Sequence, residues 1–444
     1  MGEGISVEKK AETGTFLWQR GNDRFDRGRA GGVRDDDPPV HRQRSFDQNA
    51  AQLAVALDQT IVNFSSNLGA IASQKETTPP APLWATATPM PTATPVPTAV
   101  PKASFRLCAT GMLNWSASIQ KSVQTDSGYQ YADVLSPLLS QLNADVTVAT
   151  LRNSLIADEK ISDGNADASL AAALFQSGFR ALNLGHLNTL DYGLDGLWKT
   201  QSTLTDAGVL PFGAYPSAQR RSTLTLTNAG GVKLALLSYQ SGVSSEGRKA
   251  VSADDRAYAV GELELSVIQE EIAAARNAGA QVVLVSLCWG KESATKPTNE
   301  QKELAQAIAD AGADILLGVN PKAVQTVEIL TADRSDGRYH PVLCAYSLGS
   351  LLTSERQQRT NLAGVLLHAT VEYDPATDTV AFDGLTYTPT YNWRTKENGV
   401  YRYRVYPSNL VEYPADVNKD QLNIMAKCRK IIQDVMADSG FTEQ

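Results

Sequence analysis

The strongest constraint on the fold is a junction that occurs four times in the 444-residue chain, where a helical stretch ends at a glycine and an apolar run follows. Glycine readily adopts the left-handed conformation that closes a helix, so each junction predicts a helix C-terminus that leads into a strand. Strands and helices that alternate in this way predict parallel strands joined by crossover helices. The junctions are QSGFRALNLG at Gly178, DAGVLPFG at Gly208, NAGAQVVLVS at Gly279 and DAGADILLGV at Gly312.

Two pairs of alternating runs predict antiparallel strands beside this parallel arrangement. The runs STLTLT and VKLALLSY flank residues 228–231, and the runs GVLLHATVEY and DTVAFDGLTY flank a turn near Asp374. Alternating runs on both sides of a short polar turn indicate hairpins. The intervening helices carry one apolar stripe, as Leu265, Ile268 and Ile272 show, and such a stripe is buried against a sheet. We therefore expect α/β layers with mixed sheets.

Composition divides the chain into four stretches. Residues 1–76 mix charges with glycine, so we expect them to be mostly disordered, with at most a weak helix over 46–74. Residues 77–102 are rich in Pro and Thr and predict a semi-rigid spacer, either a plain linker or one that holds a domain away from a bacterial surface. Residues 103–410 form the α/β domain, and 411–444 add a helical extension that caps this domain or binds a partner.

Charge and hydropathy exclude two classes of protein. The formal net charge is -8, whereas nucleic-acid binding needs clustered Lys and Arg, so no nucleic-acid partner is expected. No apolar run reaches the length of about 18 residues that a bilayer requires, so we expect no transmembrane helix in this chain. No export signal is visible either. The four cysteines form no CxxC pair, which favours buried free thiols over a disulfide or a metal cluster.

Six motifs at the ends of the predicted strands follow one another in a familiar order. They are GHLNTLDYGLDGL, GVKLALLSY, SLCWGKE, DAGADILLGVNPKAVQ, AYSLGS and TYTPTYNW. In this order and at these separations they resemble the CapA family of poly-γ-glutamate and capsule synthesis. The resemblance implies the calcineurin-like metallophosphatase fold, a four-layer αββα sandwich of two mixed sheets. It also implies a two-metal site where the strand-end loops converge.

The metal-ligand positions that the resemblance implies are almost all changed. A two-metal site needs carboxylate, imidazole and amide donors, including a bridging carboxylate. Met112 stands where the family has an aspartate, Thr150 and Arg152 stand where it has an amide and an acid, and its histidine is displaced within 185–188. The changed positions are Met112, Thr150, Arg152, His186, Leu187, Asn188, Cys288, Asn320 and Lys322.

We expect no cofactor, and metal binding stays an alternative. Arg152 and Lys322 place two cations where the metals of the family converge, and they would repel a divalent ion. A lone histidine such as His186 is more often structural than a ligand. The alternative is a manganese, iron or zinc site with atypical ligands, in which zinc would use Cys288 with His186 and Glu292.

Three functions stay open at the level of sequence. We expect a non-catalytic CapA-like envelope protein that binds or assembles an anionic polymer of the capsule or poly-γ-glutamate type, or contacts capsule-synthesis machinery. It would act at the outer face of a bacterial membrane or cell wall, and Arg152 with Lys322 would recognise carboxylate or phosphate without metal. The alternatives are an active metal-dependent phosphoesterase, and a structural or signalling ectodomain with a closed loop junction. The candidate pocket comprises Arg152, His186, Asn188, Asp191, Trp289, Glu292, Asn320 and Lys322.

Overall fold

The computed structural model describes residues 101–415 and 417–444. The predicted arm over 1–76, its weak helix over 46–74 and almost all of the 77–102 spacer lie outside the described residues. Within the described ranges, no helix is both long enough and apolar enough to cross a membrane. All four cysteines are buried and free, as the sequence predicts.

Strands and helices alternate over most of the described chain. In chain order the strands are β1 (Ala103–Leu113), β2 (Gln124–Thr125), β3 (Gly128–Tyr129), β4 (Val146–Leu151), β5 (Ala181–Asn183), β6 (Leu210–Phe212), β7 (Leu226–Ala229), β8 (Val232–Gln240), β9 (Val282–Cys288), β10 (Ile315–Val319), β11 (Val327–Ala332), β12 (His340–Ala345), β13 (Ser350–Leu352), β14 (Ala363–Asp374), β15 (Thr379–Glu397), β16 (Val400–Pro407) and β17 (Thr442–Glu443). The helices are α1 (Ala117–Val123), α2 (Ala132–Leu135), α3 (Leu170–Gln176), α4 (Gly193–Asp206), α5 (Ala218–Arg221), α6 (Ser245–Ala250), α7 (Ala253–Ala259), α8 (Leu265–Asn277), α9 (Asn299–Asp310) and α10 (Lys419–Met436).

The four predicted helix-to-strand junctions are present, and their glycines have the expected backbone conformation. The φ angles are 106°, 87°, 85° and 113° at Gly178, Gly208, Gly279 and Gly312. These angles lie in the left-handed region that residues with a Cβ atom rarely adopt. After α4, the amide of Val209 donates to the carbonyl of Leu204, which closes the last turn and starts the chain toward β6. The junction prediction is therefore confirmed.

The larger sheet is mixed and has nine strands in the order β16-β15-β14-β1-β4-β5-β6, with β13 beside β1 and β17 beside β15. Strands β1, β4, β5 and β6 are parallel. On the other side of β1, strands β14, β15 and β16 continue the sheet with antiparallel pairing. The hairpin predicted near Asp374 is the β14–β15 pair, in which Asp374 lies opposite Thr379.

The smaller sheet has six strands in the order β11-β12-β10-β9-β8-β7. Its four inner strands, β12, β10, β9 and β8, are parallel to one another. Both edge strands are antiparallel to their neighbours. The edge strand β7 forms the predicted hairpin with β8, in which Asn228 lies opposite Lys233. Both sheets are therefore mixed, as the resemblance implies.

The two sheets pack face to face, and helices cover their outer faces. Val148 of β4 and Leu236 of β8 belong to one apolar cluster that joins the sheets. The next residue of β8, Leu237, belongs to a second cluster with Ile272 of α8 and Ile308 of α9. Alternation between two apolar clusters is what a strand buried on both faces requires. Helices α1, α3 and α4 cover the larger sheet in the same way. The predicted four-layer αββα sandwich is confirmed.

Helix α10 packs on the larger sheet. Asn418 accepts a hydrogen bond from the amide of Gln421, whose side chain accepts from the amide of Asn418, and this reciprocal cap starts the helix. Met425, Cys428 and Ile432 are buried in the cluster that joins the sheets. The apolar face of α10 is thereby covered by the rest of the described chain.

Candidate functional site

A cleft of about 640 Å³ lies where the carboxyl ends of the parallel strands meet. Its walls include Arg152 after β4, His186 after β5, Ser244 after β8 and Lys322 after β10. Loops converge at this end of a parallel sheet, which makes it the usual place for a ligand site in α/β proteins. The loops that carry the predicted site residues therefore surround one cleft.

Nine of the sequence-predicted positions line this cleft. They are Met112, Arg152, His186, Leu187, Asn188, Cys288, Glu292, Asn320 and Lys322. Thr150, Asp191 and Trp289 are not among the lining residues. Thr150 is buried and accepts a hydrogen bond from Asn183 Nδ2 at 3.1 Å. Trp289 donates from Nε1 to the Tyr346 carbonyl at 2.9 Å and stacks on that tyrosine. Thr150 and Trp289 thus support the cleft from inside.

The motif TYTPTYNW does not end a strand, so that prediction is wrong. The motif lies inside β15, which continues without a break, and it contributes no lining residue. Its Asn392 accepts a hydrogen bond from the Thr353 amide at 2.9 Å, and the Thr353 hydroxyl accepts from the Glu355 amide at 3.1 Å. Both Thr353 and Glu355 line the cleft. The motif therefore acts by positioning a cleft loop.

His186 is held inside the protein by hydrogen bonds. It is 4% exposed, its Nδ1 accepts from the Asn188 amide at 3.2 Å, and the ring also hydrogen-bonds the Leu151 backbone. Burial, and secondarily the Arg152 guanidinium, lower the pKa of His186 to about 3. At neutral pH the ring is therefore uncharged. A neutral ring whose Nδ1 accepts carries its proton on the other nitrogen, so no lone pair is left for a metal.

Asp191 joins two elements beside the cleft. Its Oδ2 accepts from Asn188 Nδ2 at 2.9 Å, and its Oδ1 accepts from the Ser244 hydroxyl. Ser244 also caps α6, because its hydroxyl oxygen accepts from the Gly247 amide at 2.9 Å. The carboxylate of Asp191 thus ties the loop after β5 to the start of α6.

Lys322 forms two ion pairs at the cleft. Its Nζ lies 3.0 Å from Glu292 Oε1 and 2.6 Å from Glu355 Oε2. Partial burial lowers the pKa of Lys322, but the hydrogen bonds to Glu355 and Glu292 outweigh this effect, so the pKa is raised. Sequence reasoning missed Glu355, which lies outside all six motifs. The only local signal was an acidic residue shortly after AYSLGS.

Arg152 carries a positive charge at the cleft without a carboxylate partner. Its Nη1 donates to the backbone carbonyl of Asp163 at 3.0 Å, and no described carboxylate forms an ion pair with its guanidinium. The Asp163 carboxylate also lines the cleft but accepts from the Ala117 amide at 2.9 Å. The two predicted cations therefore differ, because the charge of Lys322 is compensated within the protein and that of Arg152 is not.

Four other predicted positions on the lining, Met112, Leu187, Cys288 and Asn320, bring little ligand chemistry. Asn320 has a φ of 98°, and its Nδ2 donates to the Gly290 carbonyl at 2.7 Å, so its side chain joins the loops after β10 and β9. Cys288 is 1% exposed, and burial raises the pKa of its thiol to about 12. A protonated thiol is a poor metal ligand. Met112 offers only a thioether to the cleft.

The side chains at the cleft do not fit the two-metal site that the resemblance implies. Across the part of the chain that the structure describes, no group of three or more His, Cys, Asp or Glu is placed to hold a metal ion. Of the three acidic residues that line the cleft, Glu292 and Glu355 are both bound by the Lys322 ammonium, and Asp163 accepts from the Ala117 amide. These side chains therefore provide no assembled set of ligands for a pair of metal ions.

Fold and site together define an αββα protein with a cleft at its strand ends and a lysine ammonium between two cleft carboxylates. A model of the family described as bacterial capsule synthesis protein PGA_cap matches residues 106–355, which is more than half of the chain. The chain belongs to this family, and the resemblance predicted from the six motifs is confirmed.

Two curated relatives carry capsule-related names. The PGA biosynthesis protein CapA of Bacillus subtilis (strain 168) is 26% identical over 265 residues, which cover 59% of this chain and 58% of the relative. The capsule biosynthesis protein CapA of Bacillus anthracis is 26% identical over 239 residues, which cover 51% and 54%. The match thus spans less than two thirds of the length of either relative.

Solved structures with a similar fold include a nucleotidase and a phosphoesterase. The Haemophilus influenzae NAD nucleotidase (NadN) gives a TM-score of 0.40 at 11% identity, covering 76% of this chain and 60% of that one. The calcineurin-like phosphoesterase YfkN from Bacillus subtilis gives a TM-score of 0.37 at 13% identity, covering 76% and 99%.

Proposed function

We propose that this chain is a non-catalytic component of bacterial capsule or poly-γ-glutamate-type polymer synthesis, and that its cleft binds a segment of the anionic polymer. Membership of the capsule synthesis family supports the context. One observation carries the non-catalytic part. At the family's metal-ligand positions, the polar groups are either cations or are already hydrogen-bonded within the protein, as Arg152, Lys322 and His186 illustrate.

The polarity of the cleft supports an anionic, hydrogen-bonding ligand. The guanidinium of Arg152 has no carboxylate partner in the described chain, and guanidinium groups bind carboxylate or phosphate through two parallel hydrogen bonds. Asn114 also lines the cleft, and its Oδ1 is buried with no hydrogen-bond partner within the described residues. A ligand with an anion and an N–H or O–H donor would satisfy both groups.

The volume of the cleft favours binding over a purely structural role. A structural ectodomain would be expected to pack its loop junction shut with apolar side chains. Here a cleft of about 640 Å³ persists, and Arg152, His186, Asn188 and Lys322 all line it. Such a cleft suits a segment of a polar chain.

Binding of labelled poly-γ-glutamate to the full chain tests the proposal directly. We expect Arg152→Ala to weaken binding about tenfold or more, because a charge-assisted hydrogen bond is lost. Lys302→Ala removes the same charge from the exposed face of α9 and serves as the matched control, with affinity close to wild type. Unchanged affinity in the double variant Arg152→Ala with Lys322→Ala would contradict the proposed site.

Metal content and turnover test the non-catalytic part separately. The purified chain would be analysed for manganese, iron and zinc, and then assayed against a generic phosphodiester with each metal added. We expect substoichiometric metal and no turnover above buffer. Stoichiometric metal with turnover that is lost on Glu292→Gln would establish the phosphoesterase instead.

We also propose that the chain acts at the outer face of a bacterial membrane or cell wall, because its family is named for capsule synthesis and capsules lie outside the cell. Protease treatment of intact cells, followed by detection of the chain, tests this location. Cleavage in intact cells is expected. A chain that is cut only after lysis would refute the proposed location.

A further inference from the structure

We infer that Glu292 is an internal competitor of the anion that the cleft binds: its carboxylate holds the Lys322 ammonium until an incoming carboxylate or phosphate displaces it. The inference rests on the proposed function, since it concerns the regulation of the same cleft. Besides the two cations Arg152 and Lys322, the cleft then contains the carboxylate of Glu292, which an anionic ligand must displace from Lys322.

The two ion pairs of Lys322 differ in how firmly they are held. Lys322 follows β10 of the smaller sheet and Glu355 follows β13 of the larger sheet, so their contact at 2.6 Å joins the loops of the two sheets. These two side chains are 29% and 28% exposed, whereas Glu292 is 64% exposed. Ion pairs of exposed side chains contribute little because water competes for both charges. Glu292 is therefore the partner that an incoming anion displaces.

The backbone allows the Glu292 side chain to move while its loop stays in place. The Glu292 carbonyl accepts from the Lys322 amide at 3.0 Å, a contact that does not involve the carboxylate. The backbone of Glu355 is also held, because its amide donates to the hydroxyl of Thr353, but its side chain is only 28% exposed. Displacement thus needs only rotation of one exposed side chain.

Charge balance shows which ligands such an exchange admits. One ammonium now faces two carboxylates, so an anion that merely added to the site would meet a surplus of negative charge. An anion that replaces Glu292 leaves the number of charges around Lys322 unchanged. Arg152 offers a second contact elsewhere on the cleft wall. The arrangement therefore favours a ligand with several anionic groups over a single small anion.

A double-mutant cycle on the full chain tests the inference. The probe is a fluorescently labelled poly-γ-glutamate oligomer, with binding followed by anisotropy at low and at physiological ionic strength. Glu292→Gln keeps the shape of the side chain and removes the competing charge, and it should tighten binding about two- to fivefold. This gain in affinity should disappear when Lys322 is replaced by Met, because Glu292 and the ligand then have no ammonium to compete for.

Glu303→Gln is the matched control, since it removes the same charge from an exposed position on α9. A gain with Glu292→Gln alone, dependent on Lys322 and smaller at higher salt, supports the inference. Equal affinities of Glu292→Gln and wild type, or an equal gain with Glu303→Gln, would overturn it while leaving the proposed function standing. No binding by the wild type or any variant would overturn the proposed function, and the inference with it.

Discussion

His186 makes the stability of this protein depend on pH by an amount that can be worked out. The pKa of a histidine in an unfolded chain is about 6.5, whereas burial lowers that of folded His186 to about 3. Between these values the unfolded state binds more protons, so the stabilisation is complete above about pH 6.5 and is lost as the pH falls. From pH 7 to pH 5 the loss is about 2 kcal/mol. This figure depends almost entirely on the unfolded pKa, because the folded ring stays neutral at pH 5.

Urea unfolding at pH 7 and pH 5 measures the effect, with the fluorescence of buried Trp115, Trp289 and Trp393 as the signal. His186→Asn removes the titrating ring and keeps an acceptor oxygen near the position of Nδ1. The variant should be less stable at pH 7 but should lose about 2 kcal/mol less than wild type on acidification. His368, whose pKa burial lowers to about 4, titrates in both proteins and cancels in the comparison. Equal losses in both proteins would show that the folded ring is not neutral and would contradict the account of His186 given above.

Three further outcomes follow from the geometry. Gly318→Ala should destabilise the fold by about 3 kcal/mol in urea unfolding, because the added Cβ would lie 1.9 Å from the Tyr346 carbonyl oxygen; a variant as stable as wild type would contradict this packing. Asp314→Asn should also lower the free energy of unfolding by about 3 kcal/mol, because Asp314 is 1% exposed and binds both Arg276 and Arg334. The loss should be the same at high salt, since buried ion pairs are little screened. Treatment with EDTA should leave the unfolding midpoint unchanged, whereas a lowered midpoint that zinc or manganese restores would contradict the account of the cleft.

The parts of the fold that could be predicted are those with a local cause. A helix that ends at glycine needs only the neighbouring residues to be recognised, and Gly178, Gly208, Gly279 and Gly312 all have the required positive φ. The hairpins are local for the same reason. The order of the layers follows from the resemblance that the six motifs carry. Four of these motifs run past a strand end into the loops of the cleft, whereas GVKLALLSY and TYTPTYNW lie within β8 and β15.

The partners of the cleft residues could not be predicted, because they depend on contacts between distant segments. The sequence predicts a free charge at Lys322, yet its ammonium pairs with Glu355, which follows a strand of the other sheet. The sequence places Asp191 in the candidate pocket, yet its carboxylate accepts a hydrogen bond from Ser244, which caps a short helix far along the chain. No spacing rule connects these residues, since each pair exists only after the two sheets have packed.

The same contacts explain how the cleft can stay open without the metal ligands that the resemblance implies. In a two-metal site the ions themselves tie together the strand-end loops that supply their ligands. Here the Lys322–Glu355 ion pair joins the loops of the two sheets, and the Asn320–Gly290 hydrogen bond joins two loops of the smaller sheet. Protein groups thus make connections of the kind that ions make in a two-metal site, so this arrangement of the loops does not depend on a bound metal. The Lys322–Glu355 pair therefore supports the shape of the cleft, whereas Glu292 controls access to the charge of Lys322. Substitutions of Glu355 and Glu292 should accordingly affect ligand binding in opposite directions.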